Sequence, residues 1–505
     1  MPKEIELKLR LSPAQAKRLA SQTSLAGIKP QRFRLFNTYY DTPRLDLCQR
    51  GIALRSRRKG ADIWLMTVRG GDPAAGALAQ RSEWEAPTQP GVFDFNIVTD
   101  KGLREFLKGH QSALLPVFST DFTRTTWTLN RSGSVVEVAL DRGRIDAVSL
   151  KDNVTPLTEP ICELELELVQ GPSADALFEV AIELAAKLPL HPAIASKAER
   201  GYSLGRGLTE PPARSTPSTI TRRMSPGEAF RSIALACLLQ LQRNETGAVA
   251  GENPEYLHQA RVAIRRLRSA FKTFAPVLST EFVTVYAPRW EALAQQLGGA
   301  RDWDVFLTDT LAPLEAVFPD DADLARLREQ SEAAQAEARA SAGVALTHVA
   351  YSQLLLAFAA ALFRTQAPTI EADHGTDLDL RGFAVQRLQK CTRKIKKIVG
   401  KQGSLCDMQR HRLRIAFKRL RYALEFFAPV LPRKRQKAYL DGLVAIQDLL
   451  GNLNDQATAE RLLKELHPMS EPDPLTSGWI AGKKHLLIEA LDADLDEFLS
   501  LRSPW

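Results

Sequence analysis

No apolar run in this 505-residue chain approaches the ~20 residues that span a bilayer as a helix, which argues against a membrane protein. The opening segment, MPKEIELKLRL, is charged and alternating and lacks the apolar core of a secretory signal, so a cytoplasmic location is expected. Cysteine is scarce. Cys48, Cys162, Cys237, Cys391 and Cys406 are odd in number and form no CxxC, which excludes a disulfide framework and a zinc site and leaves reduced, structural thiols as the expectation. The C-terminal half has no Gly-rich phosphate loop and no nucleophile elbow. It also lacks a nucleic-acid reader motif or an aromatic platform between its basic residues, so nucleic acid is not the expected partner. Acid is nearly missing from one stretch: between Arg387 and Arg421 a lone Asp407 faces thirteen Lys and Arg residues.

The length exceeds what one core usually supports, so two or three domains are expected. A net charge of +8 permits a polyanionic partner without naming one. Through residue 205 short period-two runs alternate with Gly, Pro and Asp, the pattern of antiparallel strands. These runs lie near Lys3–Leu11, Phe33–Tyr40, Ile52–Lys59, Ile63–Arg69, Gln80–Glu85, Phe118–Leu129, Ser134–Asp141 and Ile161–Val169. Eight such strands can close a barrel. Helices are expected at Ser12–Ala20 and Ser173–Lys187, with Ser12 and Ser173 as N-caps. A Pro/Ser/Thr-rich stretch around Gly207–Pro226 reads as a linker, and beyond it the spacing becomes that of long helices.

The helical half repeats itself. HQARVAIRRLRSAF from His258 matches HRLRIAFKRLRYAL from His411, and LGGARDWD from Leu297 matches LGNLNDQA from Leu450. In both copies 44 residues separate the His (His258, His411) from the Asp (Asp302, Asp455), which predicts a duplicated helical unit. His258, Arg261, Arg265 and Arg268 fall at i, i+3, i+7 and i+10 and share one helix stripe, as do His411, Arg414, Lys418 and Arg421. Each is a cationic ridge on an apolar-backed helix. With no metal-spaced carboxylates beside them, binding is a better expectation than catalysis.

In the N-terminal half Glu4, Glu6 and Lys8 share one face of a strand, with Ile5, Leu7 and Leu9 on the other. In a single strand such a face would simply be solvated. The pattern recurs in Arg55 and Arg57, in Arg81, Glu83 and Glu85, and in Glu163, Glu165 and Glu167. If these faces turn inward, the lumen mixes carboxylates with bases and needs a cation to neutralise it. Mg²⁺ or Mn²⁺ suits an oxygen-rich site, and the Arg and Lys residues would hold phosphate oxygens. The chemistry implied is phosphoryl transfer to water, which depends on positioning and charge neutralisation.

The ExExK strand, NTYYDTP followed by GIALRSRR, RSEWE, ELELEL and SKAERGY together resemble the CYTH family, the triphosphate tunnel metalloenzymes, over about residues 1–205. The resemblance implies an eight-stranded tunnel for a linear triphosphate, hydrolysing inorganic triphosphate to pyrophosphate and phosphate. Carried over, Glu4, Glu6 and one or more of Glu163, Glu165 and Glu167 would hold metal, with Glu4, Glu6 and Lys8 catalytic. Lys8, Arg55, Arg57, Arg69, Arg81, Arg124, Lys197 and Arg200 would clamp phosphate, and Glu83, Glu85 and Asp141 would join the substrate site. Arg69 departs from the pattern, standing where Lys is frequent. Residues 225–505 resemble the CHAD family, which implies two four-helix bundles around a basic groove with inorganic polyphosphate bound by the two ridges. Arg301, Asp302, Asn454 and Asp455 are expected to orient those ridges.

The expected architecture is thus α+β: a tunnel barrel with flanking helices over 1–205, a linker over 206–224 and an all-α duplicated bundle over 225–505. Association with polyphosphate granules follows from the second half. The alternatives are a thiamine triphosphatase or adenylate cyclase using the same tunnel, or a non-catalytic polyanion scaffold.

Overall fold

The computed structural model describes residues 3–505 except 23, 61–62, 71–77, 153, 208–209, 365–378, 401–404, 435 and 467–472. It divides into two compact units, Met1–Pro211 with Thr347–Thr365, and Pro212–Leu346 with Gln366–Trp505. Among the described residues no single helix is long and apolar enough to cross a membrane.

The first unit is an antiparallel barrel of β1 (Lys3–Arg10), β2 (Gln31–Asp41), β3 (Ile52–Lys59), β4 (Ile63–Gly70), β5 (Leu78–Pro87), β6 (Leu115–Arg131), β7 (Ser134–Val148) and β8 (Pro156–Gln170). The order β5-β4-β3-β2-β6-β7-β8-β1 closes because β1 pairs on both sides. Its first half, Lys3–Leu7, pairs with Leu78–Ser82 of β5, and Glu6–Arg10 pairs with Glu163–Glu167 of β8. The expected eight-stranded closure is therefore present, with a short His191–Pro192 bridge added beside β1.

Alternation gives the wall two chemistries. Leu7, Val136, Val138, Leu164 and Leu166 are fully buried on the outer face, which packs against the helix Asp175–Lys187. Behind that helix lies Val349–Phe363, apolar all round and therefore a buried helix. The Phe178 and Phe363 rings stack 5.8 Å apart, and Ser352 Oγ lies 3.0 Å from His191 Nδ1. Residues 347–365, placed by the sequence with the helical half, thus pack with the barrel.

Inside, Leu35, Tyr39, Phe118, Phe122, Ile145 and Ile161 form an apolar plug with Tyr202. Tyr202 belongs to the helix Lys197–Arg206, which starts with a Ser196/Glu199 capping box and fixes where Lys197 enters the barrel. Its hydroxyl donates to Asp41 at 2.9 Å, and Asp41 also accepts from the backbone N–H groups of Thr42, Leu47 and Cys48. Gly201 is obligatory there, since a Cβ would sit 2.2 Å from the Phe118 ring.

In the second unit the two matched segments form the helices Pro254–Phe274 and Asp407–Phe427, each ending in a 3₁₀ turn of sequence APV. The copies then diverge. The second continues as one helix, Gln436–Leu466, whereas the first breaks into Thr280–Gln296, Gly298–Val305, a π-turn at Phe306–Leu311 and Ala312–Val317. The segment before them is irregular up to Ser225, yet Ala213 is tied to the buried Asn244 side chain through both backbone groups.

Because Val349–Phe363 covers the outer helix of the barrel, a chain ending at Gly207 is expected to melt lower than one supplied with residues 347–365. Phe178→Ala in the full chain should cost about 3–5 kcal/mol, read from the denaturation midpoint. Equal midpoints with and without the 347–365 segment would show that the helix is dispensable.

Candidate active site

Strand register brings the inward residues together in rows. Glu6 stands opposite Glu167, and Glu167 opposite Glu137. Lys8 faces Glu165, Arg124 faces Asp141, Asp141 faces Glu163, and Arg69 faces Glu83. Glu6, Lys8, Arg55, Asp141, Glu163, Glu165 and Lys197 are all buried. The lumen is therefore an ionic interior, and most of its charges are paired.

Arg124 grips both oxygens of Asp141 at 2.7 and 2.6 Å and also reaches Glu165. Lys197 Nζ lies 2.7 Å from Asp141 and 3.0 Å from Glu165, and it also contacts Glu163. Lys8 sits 3.2 Å from both Glu6 and Glu165. Arg200 binds Glu163 at 2.9 Å and Glu159 at 2.7 Å. Burial opposes ionisation of Glu165, but Lys197, Lys8 and Arg124 outweigh it and hold the carboxyl well below its ordinary range. Burial likewise opposes charge on Lys197, yet Asp141, Glu163 and Glu165 raise it above the ordinary lysine value.

Asp141, Glu163 and Glu165 each offer an oxygen within 4.8 Å of the others. Such hard donors suit Mg²⁺ or Mn²⁺, so the residues fit a divalent cation. The cation on which they converge is the Lys197 ammonium. Glu4, Glu6 and Glu167 lie outside this triad. The Glu6–Glu167–Glu137 row is a second acidic stretch, in which burial first, then Glu137, Glu165 and Glu6, raise the Glu167 pKa. Glu137 was not singled out from sequence, although its spacing four residues before Asp141 is the same-face signal that marked other strands.

On the other wall, cations predominate. Burial, then Arg55, Arg124 and Arg69, lower the Arg57 pKa, so four guanidiniums act on one another here. Arg57 Nε donates to Asn37 Oδ1 at 2.9 Å, and Asn37 donates to Thr120, an orienting pair that sequence alone did not reveal. Arg55 Nε and Nη2 and Arg69 Nε make no hydrogen bond although buried. Arg57 lies 4.0 Å from the exposed Glu85, which also accepts from Thr67. Arg81 is on β5, and its side chain falls outside the described residues. Arg69 contacts Glu4 at 2.7 Å and Glu83 at 3.0 Å. Burial pushes Glu4 up to about 8, while Arg69 and Arg55 overcome burial and bring Glu83 down to about 2.

The ridges of the helical unit meet where their helices pack: Arg265 Nε donates to Tyr422 Oη at 2.6 Å. Their members are not equivalent. Arg261 donates to the carbonyls of Leu297 and Gly298 at the broken helix and lies 4.0 Å from Asp302. Its counterpart Arg414 has an Nε without a hydrogen bond. Arg268 pairs with Glu291, and Arg421 with Glu425 and Gln447. Burial, then Arg414 and Arg265, push Lys418 down to about 6, and burial, then Arg301, take His258 down to about 4. His411 is exposed. Asp302 is held by Arg461 at 2.8 Å, and Asn454 bonds Thr458, while Asp455 opposes the downward shift of Arg414.

Lys197→Ala leaves three buried carboxylates short of a cation and should cost about 3–5 kcal/mol, partly recovered by added Mg²⁺ or Mn²⁺; a melting midpoint unmoved by either change would contradict the charge argument. Glu4 carries a raised pKa in the folded state, so its contribution is present below about 4.5 and is lost as pH rises through about 8. Stability of the metal-free protein should fall across that window, and Glu4→Gln should flatten the slope.

Residues 2–202 match the CYTH domain family and residues 232–464 the CHAD domain family. An inorganic triphosphatase of Haemophilus influenzae is 35% identical over 206 residues, which are 41% of this chain and 56% of that protein, so the chain matches little more than half of that relative's length. A solved CHAD domain from Ricinus communis is 32% identical, with a TM-score of 0.49 over 59% of this chain and 99% of that one. A putative adenylyl cyclase from Hippeastrum, described as having a dominant triphosphatase activity, is 20% identical, with a TM-score of 0.30 over 40% of this chain and 95% of that one. The chain thus carries a CYTH domain followed by a CHAD domain.

Proposed function

We propose that the barrel hydrolyses inorganic triphosphate with the help of Mg²⁺ or Mn²⁺, and that the helical unit binds inorganic polyphosphate. The observation that carries the first statement is the wall of Arg55, Arg57 and Arg69, where burial and neighbouring guanidiniums lower the Arg57 pKa and buried donors of Arg55 and Arg69 have no hydrogen-bond acceptor, an arrangement suited to a compact polyanion. The similarity to an inorganic triphosphatase supports the same substrate.

In this reading Arg55, Arg57 and Arg69 hold phosphate oxygens opposite the acidic wall, with Asn37 fixing the Arg57 fork. Lys8 and Lys197 bring positive charge to the carboxylates and limit their repulsion of the substrate. Asp141, Glu163 and Glu165, with Glu6 and Glu167 nearby, would hold the divalent ion, whose chemistry is to neutralise phosphoryl oxygens as charge develops. Tyr202, Phe118 and Phe122 fill part of the lumen beside this site with apolar groups. Both activities belong in the cytoplasm, at polyphosphate granules where these form.

Phosphate release from tripolyphosphate, ATP and thiamine triphosphate, with and without metal, tests the barrel. Tripolyphosphate should be cleaved fastest and only with metal, and Glu4→Gln with Glu6→Gln should remove most turnover in a folded protein. Equal or faster cleavage of an organic triphosphate would overturn the inorganic assignment, and near-normal turnover in the double variant would overturn the site.

In the helical unit burial, then Arg414 and Arg265, hold Lys418 at about 6; a bound polyanion opposes that shift by favouring the charged amine, so binding takes up a proton above pH of about 6. Polyphosphate affinity should therefore fall as pH rises from about 6 to about 8, and fall steeply with salt through counterion release. Lys418→Met should flatten the pH dependence. Charge reversal at Arg261, Arg265, Arg414 and Lys418 together should abolish binding, and unchanged affinity with intact helical content would show that the ridges serve another purpose.

A further inference from the structure

A second cationic concavity lies in the helical unit, apart from the pairing of Arg265 with Tyr422. It is a cavity of about 150 Å³ lined by Lys272, Arg387, Lys390, Lys394 and Arg419, over a floor of Thr273, Cys391 and Ala416. Three helices supply it: the last turn of Pro254–Phe274, the helix Leu380–Val399 and the helix Asp407–Phe427. Arg387, Lys390, Cys391 and Lys394 fall at i, i+3, i+4 and i+7 and form one stripe. Ala416 and Arg419 are turned well round their helix from Arg414 and Lys418.

Among the described residues no carboxylate lines this cavity. The helix Leu380–Val399 contains no acid, and Asp407, the one acid of the stretch, is engaged by Arg410 and Lys484. Arg387 donates one bond to the Lys272 carbonyl at 3.0 Å, while its buried Nε has no acceptor. The cations also feel one another: burial, then Arg419, Arg268 and Lys394, lower the Lys272 pKa against an opposing pull from Glu291, which Arg268 engages. Lys272, Lys390 and Lys394 are exposed and Arg387 and Arg419 partly buried, so the cluster concentrates a positive field at the mouth of the cavity that attracts an anion. The volume falls below the ~300 Å³ typical of sites for drug-sized ligands, which favours a small ligand over a nucleoside. A small, highly charged anion fits both constraints.

We propose that this cavity is a binding site for a short phosphate anion of the pyrophosphate type, separate from the two ridges. The group it receives is either free pyrophosphate or the terminal unit of a longer phosphate chain. The assignment does not depend on the ridges binding polyphosphate.

Cys391 in the floor provides a local reporter, and the exposed Cys406 an internal control. Alkylation of the full chain by iodoacetamide, followed by peptide mass spectrometry at constant ionic strength, measures the ratio of rates with and without pyrophosphate for each variant. Pyrophosphate should slow Cys391 at least about fivefold and leave Cys406 unchanged. Lys394→Ala with Arg419→Ala should abolish that protection, whereas Arg265→Ala with Lys418→Ala should keep it. Equilibrium dialysis of labelled pyrophosphate gives a second measurement, in which the Lys394/Arg419 variant should lose one binding equivalent per chain. Protection by long-chain polyphosphate that disappears when its ends are blocked would assign the site to chain termini, and protection by free pyrophosphate to the short anion. No protection by either together with unchanged dialysis stoichiometry, protection surviving Lys394→Ala with Arg419→Ala, or parallel slowing of Cys406 would overturn the proposal.

Discussion

The barrel depends on one constraint: charges that line a closed interior must be neutralised by partners fixed in the same strand register. Asp141 illustrates it. The carboxylate is wholly buried, and it is tolerable there because Arg124 from the neighbouring strand and Lys197 from the plug helix both reach it. Shifting β7 by one residue would turn Asp141 outward into the layer occupied by Leu164 and Val138, and would bring apolar residues into the lumen. The ionic interior and the apolar outer layer therefore specify the same register. The plug serves that arrangement too, since the Ser196 cap and the Tyr202–Asp41 bond fix the helix from which Lys197 projects.

The separation of signs around the lumen has a chemical consequence. Acids from β1, β7 and β8 gather on one side, while Arg55, Arg57 and Arg69 come from β3 and β4 on the other. Arg69 bridges to Glu4 and Glu83, and Arg55 lies 3.7 Å from Glu83, so the two walls are tied together at β5. A cavity with an acidic wall and a basic wall accommodates a metal and a polyanion together better than either alone, because each ligand cancels the field that opposes the other.

Much of this was legible because strands write their two faces at period two. Glu4, Glu6, Lys8 and the Glu163–Glu165–Glu167 series declared a charged face, and closure of eight strands turned it inward. Glu137 obeyed the same rule but stood alone in SVVEVALD, without a second charge until Asp141. Asn37 and Asp41 were harder to see, since their roles come from cross-strand and loop partners far apart in sequence. The packing of Val349–Phe363 against the barrel could not be read from periodicity at all. A helix apolar on every side announces burial without naming what buries it.

The helical unit pairs some of its cations with carboxylates, as in Arg268–Glu291 and Arg421–Glu425, but along the ridges it also uses backbone and aromatic acceptors, as Arg261 and Arg265 show. The duplicated ridges show how far this can diverge within one chain. Where the first copy breaks between Gln296 and Gly298, its freed carbonyls take the donors of Arg261. Where the second copy runs unbroken, Arg414 has no such acceptors, and Lys418 beside it is pushed toward neutrality. Sequence symmetry therefore does not carry over into equal readiness for an anion. The continuous helix leaves its ridge electrostatically unsatisfied, and the broken one partly satisfies its own, so a phosphate chain lying across both would draw more of its stabilisation from Arg265, Arg414 and Lys418 than from Arg261.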